Sequence, residues 1–318
     1  MTFDKITIIG LGLIGSSMAR ALRNSGIVQT VTAADNNLEV CKKVTELGIA
    51  DEVTSDIRRS VLGADIVVIA VPVGAVANVA EQIGPALKAG AVVTDVGSVK
   101  QAVIDALKPH MPESVHLVPG HPIAGTEHSG PENGFAELFE NRWCILTPLP
   151  ETDIRAVEKV TALWEACKSR IEIMDPQHHD LVLGITSHLP HLIAYTIVGT
   201  ANQLEDDIKS EVIKFSASGF RDFTRIAASD PTMWRDVFMN NRPAVLEILQ
   251  RFTEDLTAMQ KAIRKGDGKF LYEFFSNTRH IRRQIIDLGQ ANYVAPGGVQ
   301  PEGTPPVEAP HKASGRSG

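Results

Sequence analysis

The first part of the chain alternates short apolar runs with amphipathic stretches of helical period. Seven runs are rich in β-branched residues and end at polar or turn residues, as buried parallel strands do; they cover residues 6–9, 31–35, 66–71, 91–96, 115–118, 144–147 and 170–174. Between these runs the pattern predicts helices over residues 38–47, 75–87, 100–107 and 153–168. This alternation predicts an α/β fold built on a doubly wound parallel sheet.

Strand patterns stop after Asp175, and the chain from there to about Asn292 has the pattern of successive helices. Two Asp-Pro pairs, 175–176 and 230–231, each place an N-cap residue before a proline at the first helical position. We therefore predict an α/β domain over residues 1–175, an all-α domain over 176–293 and a disordered, proline- and glycine-rich tail over 294–318.

Composition and charge exclude several classes of protein. With a net charge of -7 and no stripe of lysine and arginine, the chain lacks the basic surface that binds nucleic acid. No window has the ~18 uninterrupted apolar residues of a membrane span, and the amino terminus lacks the pattern of a signal peptide. Three widely spaced cysteines, Cys41, Cys144 and Cys167, fit reduced thiols better than a disulfide framework. We expect a cytoplasmic protein without a nucleic-acid or membrane partner.

The hexapeptide GLGLIG, residues 10–15, lies between the first predicted strand and the first predicted helix. In this context its spacing predicts the turn that binds the pyrophosphate of a dinucleotide. Gly10 would permit the tight turn, Gly12 would let the backbone approach the phosphates, and Gly15 would let the helix pack closely on the strand. The phosphates would then meet free N–H groups at the helix start.

Asp35 ends the second predicted strand, twenty positions after Gly15. Its carboxylate can accept two hydrogen bonds from a ribose diol and would repel a 2′-phosphate, which favours NAD over NADP. The alternative is a glycine turn that only tightens a strand-helix junction, with Asp35 as a solvated acid. The residues predicted to contact NAD are Gly10, Gly12, Leu13, Ile14, Gly15, Asp35, Val71, Pro72 and Ser98.

Polar loops follow two later strands, at the edge where open α/β sheets bind their ligands. The segment DVGSVK contains Ser98, and the segment PGHPIAGTEHSG contains His121. A neutral histidine suits the proton that a dehydrogenase removes from a hydroxyl, so His121 is the leading catalytic candidate. Alternatively, His121 is a loop residue that orients the bond to Pro122. Ser98 is interpreted as a partner of the imidazole or nicotinamide, as an N-cap of a helix that begins at Val99, or as both.

Two segments of the helical part also contain candidate ligand-binding groups. In SHLPH, His188 and His191 lie three residues apart, and we interpret Pro190 as a kink that exposes polar backbone beside them; a buried, satisfied histidine pair is the alternative. A metal site would need a third ligand, and the DPQHHD segment at 175–180 is explained by helix capping. Further on, Arg221 and Arg225 lie four residues apart and suit capture of a carboxylate, unless they form surface ion pairs.

Together the segments GLGLIG, DVGSVK, GHPIAGTEHSG, ITSHLPH and GFRDFTRIAASDPTMWRD closely resemble the prephenate/arogenate (cyclohexadienyl) dehydrogenase family. The first segment is common to dinucleotide-binding folds, whereas the later ones in this order are specific. The resemblance covers about residues 5–290. It implies a Rossmann-like domain followed by an all-α dimerisation domain, and therefore a homodimer. It also implies NAD-dependent oxidation of prephenate or arogenate with loss of carbon dioxide, in tyrosine biosynthesis.

The resemblance implies a role for each matching residue. His121 would take the proton of the ring hydroxyl without help from a metal, and Ser98 would orient His121 and the nicotinamide. Arg221 stands where some members have lysine, which leaves the preferred side chain of the substrate open. The residues implied to bind substrate or to guard the site are His191, Arg225, Arg221, Glu127 and Thr126.

Two other functions stay open at this stage. A β-hydroxyacid or imine dehydrogenase shares this architecture but normally relies on a lysine where this chain has His121. A non-catalytic NAD-sensing protein would need the glycine turn and Asp35, but has no reason to keep His121, His191 and Arg225 together.

Overall fold

A computed structural model of the protein describes residues 1–126, 128–203 and 218–285. The chain divides into two compact units, residues 1–251 and 252–318. The first unit includes both the α/β part and the first helices of the helical part, so the predicted domain boundary at 175/176 stays a prediction. The predicted tail, 294–318, lies outside the described residues.

A six-stranded parallel sheet forms the centre of the first unit, in the order β3-β2-β1-β4-β5-β6. Its strands are β1 (Phe3–Ile9), β2 (Val28–Ala34), β3 (Glu52–Thr54), β4 (Ile66–Ile69), β5 (Val92–Asp95) and β6 (His116–Leu117). The strand order reverses between β1 and β4, which opens a crevice at their carboxyl ends. The doubly wound α/β fold predicted from the sequence is thus confirmed, with β3 as an additional short edge strand.

Helices cover both faces of this sheet and bury it between two apolar layers. The helices of this part are α1 (Leu13–Ser25), α2 (Leu38–Glu46), α3 (Ile57–Ser60), α4 (Val76–Ile83) and α5 (Gln101–Leu107). On one face α1 packs Met18 and Leu22 on the sheet, and on the other α4 packs Val79 and Ile83. Because both faces are buried, the strands have the continuous apolar pattern that made them recognisable.

Three further strands form a separate small sheet, rather than continuing the large one. They are β7 (Gly120–Pro122), β8 (Trp143–Leu146) and β9 (Arg170–Ile173), with the helix α6 (Ile154–Ala166) between the last two. The β7 strand runs antiparallel to β8, and His121 pairs with Ile145. The prediction that His121 lies in a loop was therefore wrong: a strand fixes its backbone.

Residues 176–285 contain no strand in the ranges that the structure describes. Their elements are α7 (Pro176–Leu183), a π-helical turn (Gly184–His188), α8 (Leu189–Asn202), α9 (Ser218–Thr224), a 3-10 turn (Arg225–Ala228), α10 (Pro231–Asn240), α11 (Arg242–Lys265) and α12 (Gly268–Ile285). Both predicted N-caps are confirmed. Asp175 accepts hydrogen bonds from the backbone N–H groups of residues 177 and 178, and Asp230 accepts them from those of residues 232 and 233.

One described helical run, residues 176–202, is long and apolar enough to cross a membrane by length and composition. A helix buried within a protein passes the same test. Here the run contains the π-helical turn and the buried polar residues His179, Asp180 and His188, which hydrogen-bond to other parts of the chain. Its most apolar window is 28% buried, so packing against the described residues covers only part of it.

Candidate active site

The glycine turn between β1 and α1 has the backbone that the sequence predicts. Gly10 has a φ of +94°, and a Cβ there would lie 2.6 Å from the carbonyl oxygen of Ala70 and 2.9 Å from Cγ1 of Val71. A Cβ at Gly15 would overlap the carbonyl oxygen of Gly10, so the helix can approach the strand only because Gly15 has no side chain. At Gly12 a Cβ would meet nothing within 4 Å. The turn thus leaves open space at the position where a pyrophosphate would approach.

The surroundings of this turn fit NAD. The α1 helix begins after Gly12 with no side-chain cap and no acid in its first turn, so its N–H groups and positive dipole end are available to phosphates. Half-buried Asp35 accepts hydrogen bonds from the N–H groups of Leu11 and Asn37, both at 2.9 Å. These bonds hold the carboxylate beside the turn, and its remaining lone pairs can accept a ribose diol.

His121 is buried, with 8% of its surface exposed, and its ring points toward the helical part of the first unit. Its Nδ1 atom lies 2.8 Å from Nε2 of His179, and the two rings meet edge to face with centroids 5.1 Å apart. Burial lowers the pKa of His121 well below its ordinary value, and the charges of His179, Lys100 and His188 lower it further. The imidazole is therefore neutral at pH 7, as a general base must be.

His179 is held in turn by Asp180, its neighbour on α7. Nδ1 of His179 lies 2.8 Å from Oδ1 of Asp180. The same carboxylate accepts hydrogen bonds from the backbone N–H groups of Lys100, at 2.7 Å, and Gln101, at 3.0 Å. Asp180 thus caps α5, and the predicted N-cap at Ser98 was wrong: α5 starts later, at Gln101, and takes its cap from another helix.

Sequence reasoning attributed the segment 175–180 to capping alone and so missed His179 and Asp180. The capping role of Asp175 is real, but it does not account for the rest of the segment. The buried positions of α7 are Pro176, His179, Asp180 and Leu183. Their spacing of i, i+3, i+4 and i+7 is that of one helical face. A histidine and an aspartate on the buried face of a helix were the feature of the sequence that could have identified both residues as candidates.

Lys100 is a second group that sequence reasoning did not single out. Its side chain is fully buried, forms an ion pair with Asp95 and donates a hydrogen bond to the carbonyl oxygen of Gly120 at 2.6 Å. Asp95 also accepts hydrogen bonds from the N–H groups of Gly97, at 2.7 Å, and Gly120, at 3.1 Å. This network ties the ends of β5 and β7 together next to His121.

The predicted histidine pair on the helical side lies against one tryptophan. His191 stacks on Trp234 with ring centroids 3.6 Å apart, and His188 meets the same ring edge-on at 6.1 Å. His188 is fully buried and bonds through Nδ1 to the amide of Asn241 at 3.0 Å. Burial lowers the pKa of His188 to about 4, and it lowers the pKa of His191 as well. The helix irregularity predicted at Pro190 is a π-helical turn that ends at His188.

The spacing of the two candidate arginines suggested one continuous α-helix. The structure places them in two different elements. Arg221 lies in α9, which ends at Thr224, and Arg225 begins the following 3-10 turn. Both side chains are exposed. The charge of Arg225 lowers the pKa of His191, which places the guanidinium near that ring.

The remaining predicted site residues that the structure describes follow the ends of strands. Ser98 is half-buried between β5 and α5, Thr126 follows β7, and Pro72 follows β4; Glu127 lies outside the described residues. Among the residues that the structure describes, no group of three or more His, Cys, Asp or Glu side chains is arranged to hold a metal ion. Within the described residues the site thus combines a nucleotide turn after β1 with a neutral histidine next to the carboxyl end of β5. A buried polar network lies behind this histidine, and an arginine lies near His191.

Comparison with known families gives two adjacent matches. Residues 18–173 match the family described as prephenate dehydrogenase, nucleotide-binding domain. Residues 175–277 match the family described as prephenate dehydrogenase, dimerization domain. The two matches together cover most of the chain.

Individual relatives agree with these matches. A cyclohexadienyl dehydrogenase of Zymomonas mobilis subsp. mobilis is 43% identical over 280 residues, which are 88% of this chain and 95% of the relative. The crystal structure of prephenate dehydrogenase from A. aeolicus, in complex with hydroxyphenyl propionate and NAD+, is 35% identical, with a TM-score of 0.83 over 90% of this chain and 99% of that one. Synechocystis arogenate dehydrogenase is 28% identical, with a TM-score of 0.75 over 88% and 99%.

Proposed function

Since the chain belongs to the prephenate dehydrogenase family, an NAD-dependent oxidoreductase family, we propose that it oxidises prephenate, arogenate or both and releases carbon dioxide. Both substrates belong to the tyrosine pathway that the family serves. The observation on which the mechanism rests is the neutral, buried imidazole of His121, whose strand is hydrogen-bonded through Gly120 to Asp95 at the carboxyl edge of the large sheet. The glycine turn and Asp35, which fit NAD, belong to the same edge.

His121 is the proposed general base. Its Nδ1 atom is engaged by His179, so Nε2 is the nitrogen that takes the proton of the ring hydroxyl. NAD, held by the glycine turn and Asp35, would supply the acceptor for the hydride that leaves the ring carbon bearing this hydroxyl. Loss of the ring carboxylate then makes the product aromatic, which supplies a strong driving force. Neutrality of His121 matters because a protonated imidazole has no lone pair to accept the hydroxyl proton.

The substrate is proposed to bind between the edge of the sheet and the residues around Trp234. Arg225 would hold a substrate carboxylate, because a guanidinium can donate two parallel hydrogen bonds to one. His191, stacked on Trp234, would lie beside it. Ser98 would orient His121 and the nicotinamide, and the other proposed contacts are Arg221, Thr126 and Glu127.

We also propose that the chain forms a homodimer through its helical part and acts in the cytoplasm. The description of the match over residues 175–277 as a dimerization domain supports the first proposal. Exposed apolar side chains on α11 and α12 agree with it, among them Leu256, Ile263, Tyr272, Phe275 and Ile281.

Steady-state assays with purified protein test the proposed reaction. We expect stoichiometric NADH formation when prephenate or arogenate is added with NAD, and kcat/KM for each substrate defines the preference. The His121→Asn variant should bind NAD normally but lose most of its turnover. His178→Asn is the matched control, because His178 is exposed and lies one residue from the partner of His121. Near-normal turnover by His121→Asn would remove this histidine from the mechanism, and no NADH with either substrate would reject the reaction.

A further inference from the structure

A line of three polar side chains connects the edge of the small sheet with helix α7. Nδ1 of His121 lies 2.8 Å from Nε2 of His179, and Nδ1 of His179 lies 2.8 Å from Oδ1 of Asp180. All three residues are buried, with exposed fractions of 8%, 0% and 6%. Asp180 is fixed by two backbone N–H groups at the start of α5, so it cannot turn away without losing the cap of that helix.

The carboxylate at the end of the line determines where the protons are. Because Asp180 only accepts hydrogen bonds, Nδ1 of His179 must donate, which leaves Nε2 of a neutral His179 as an acceptor. Nε2 of His179 then requires the proton on Nδ1 of His121. Nε2 of a neutral His121 is consequently unprotonated. The line therefore selects the one tautomer of His121 in which the outer nitrogen has a lone pair for a substrate hydroxyl.

We propose that His179 and Asp180 are positioning residues of the reaction, which together fix the tautomer of His121. His179 accepts the inner proton of His121 as the outer nitrogen takes the proton of the substrate, and Asp180 stabilises the charge that results. This inference rests on the function proposed above, in which His121 is the general base.

Described side chains account for both protons that move in this step. The hydroxyl proton of the substrate forms a bond to Nε2 of His121 as the O–H bond breaks. The proton on Nδ1 of His121 moves along the 2.8 Å hydrogen bond to Nε2 of His179. His121 ends neutral, and His179 ends as an imidazolium ion beside the carboxylate of Asp180. The hydride of the same oxidation goes to the nicotinamide, so no further oxidant is needed.

The charges around the two rings agree with this direction of transfer. Lys100, paired with Asp95, disfavours a positive charge on either ring, and Cys144 on β8 is too weakly acidic to be a thiolate because burial raises its pKa. His188 faces His121 and is neutral. Asp180 favours the charge on His179 through both a hydrogen bond and its negative charge, whereas none of the groups that shift the pKa of His121 raises it. The hydrogen bond to the Asp180 carboxylate thus stabilises a proton on His179.

The wild-type protein provides a first test that needs no variant. In a protein labelled with 15N at its histidines, with NAD bound, the chemical shifts of the ring nitrogens report which nitrogen is protonated. We expect both His121 and His179 to be protonated on Nδ1 at neutral pH, with assignments made by comparison with His121→Asn. A proton on Nε2 of His121 would overturn the proposal.

The second test compares Asp180→Asn and His179→Gln with His178→Gln, an exposed control on the same helix. For Asp180→Asn we expect kcat to fall at least about tenfold, an effect of the size that a positioned proton acceptor supplies. The acid limb of kcat/KM should move to lower pH, because loss of the negative charge lowers the pKa of the coupled histidine pair. His179→Gln should also lower kcat, since an amide cannot take a proton. The NAD dissociation constant should not change in any variant.

The outcomes separate this inference from the proposed function. Loss of turnover in His121→Asn, with kcat and pH profile unchanged in Asp180→Asn and His179→Gln, would overturn the positioning role and leave His121 as the base. A lower kcat with an unmoved acid limb would mean a structural role only and would also overturn the inference. If His121→Asn keeps its turnover, the proposed function fails first.

Discussion

The ammonium group of Lys100 and the carboxylate of Asp95 form an ion pair with exposed fractions of 0% and 1%. The pair joins the end of β5 to the backbone of Gly120, immediately before His121 in β7. Its burial means that neither charge can be hydrated if the other is removed. The stability of the fold and the position of the catalytic candidate therefore depend on the same pair.

Replacing this lysine should destabilise the protein strongly. Lys100→Met leaves the Asp95 carboxylate buried without its cation, and breaking a buried pair in this way costs about 3–5 kcal/mol in the free energy of unfolding. Urea unfolding at neutral pH measures the loss. The control is Lys88→Met, since Lys88 pairs with Asp65 at the surface, with exposed fractions of 41% and 23%. Loss of that pair should cost less than about 1 kcal/mol, and equal costs for the two variants would contradict the prediction.

The glycine turn allows binding and folding to be tested separately. Gly12→Ala places a methyl group where no protein atom lies within 4 Å, so stability should be almost unchanged. The methyl group would meet the approaching pyrophosphate, and we expect the dissociation constant of NAD to rise by about tenfold or more, as a loss of ~1.4 kcal/mol implies. Titration of the intrinsic fluorescence of the protein with NAD measures this affinity.

Gly15→Ala is the matched variant for that experiment. Its methyl group would overlap the carbonyl oxygen of Gly10, so the helix must move away from the strand and the melting temperature should fall together with NAD affinity. If Gly12→Ala lost stability as Gly15→Ala does, or if Gly12→Ala bound NAD normally, the assignment of open space at Gly12 to the phosphates would be wrong.

The sheet and the nucleotide turn could be predicted because their signals are local. A strand buried on both faces is apolar throughout, and the glycines of the turn follow such a strand directly. The β3 and β7 strands were missed because each has only three residues and neither belongs to an apolar run. His121 was found because a polar segment follows a predicted strand, although its strand conformation was not.

The network behind His121 could not be predicted in the same way. His121 and His179 are 58 positions apart, and Asp180 caps a helix that begins 79 residues earlier. These contacts exist only once α7 packs against the start of α5, and no spacing within either segment encodes that packing. Capping by Asp175 was enough to explain the polar residues of this segment. The contacts that His179 and Asp180 make with His121 and α5 were therefore not considered.

Arg225 should affect substrate binding more than turnover. Its guanidinium would hold a carboxylate equally in the ground state and the transition state, so Arg225→Ala should raise KM about 10- to 100-fold with a much smaller loss of kcat. Initial rates over a range of substrate concentrations separate the two constants. Arg251→Ala is a suitable control, because Arg251 is exposed and pairs with Glu247 within α11. A loss confined to kcat would contradict this role.

The buried histidines should make the protein sensitive to acid. The pKa of His188 is about 4 in the folded protein and 6.5 in the unfolded chain, because burial disfavours the charged ring. Above pH 6.5 both states are neutral and stability does not depend on this group. As the pH falls from 6.5 to about 4 the unfolded chain binds the proton first, so the free energy of unfolding falls by up to about 3 kcal/mol for this residue.

Urea unfolding at several pH values across this window measures the effect. His188→Gln should flatten the dependence on pH, because an uncharged amide keeps an acceptor for Asn241 and does not titrate. Burial also lowers the pKa values of His121, His179 and His191, so the variant should retain part of the slope. His178→Gln, at an exposed position, should leave the slope unchanged. A wild-type protein equally stable at both ends of the window would show that these rings are hydrated rather than buried.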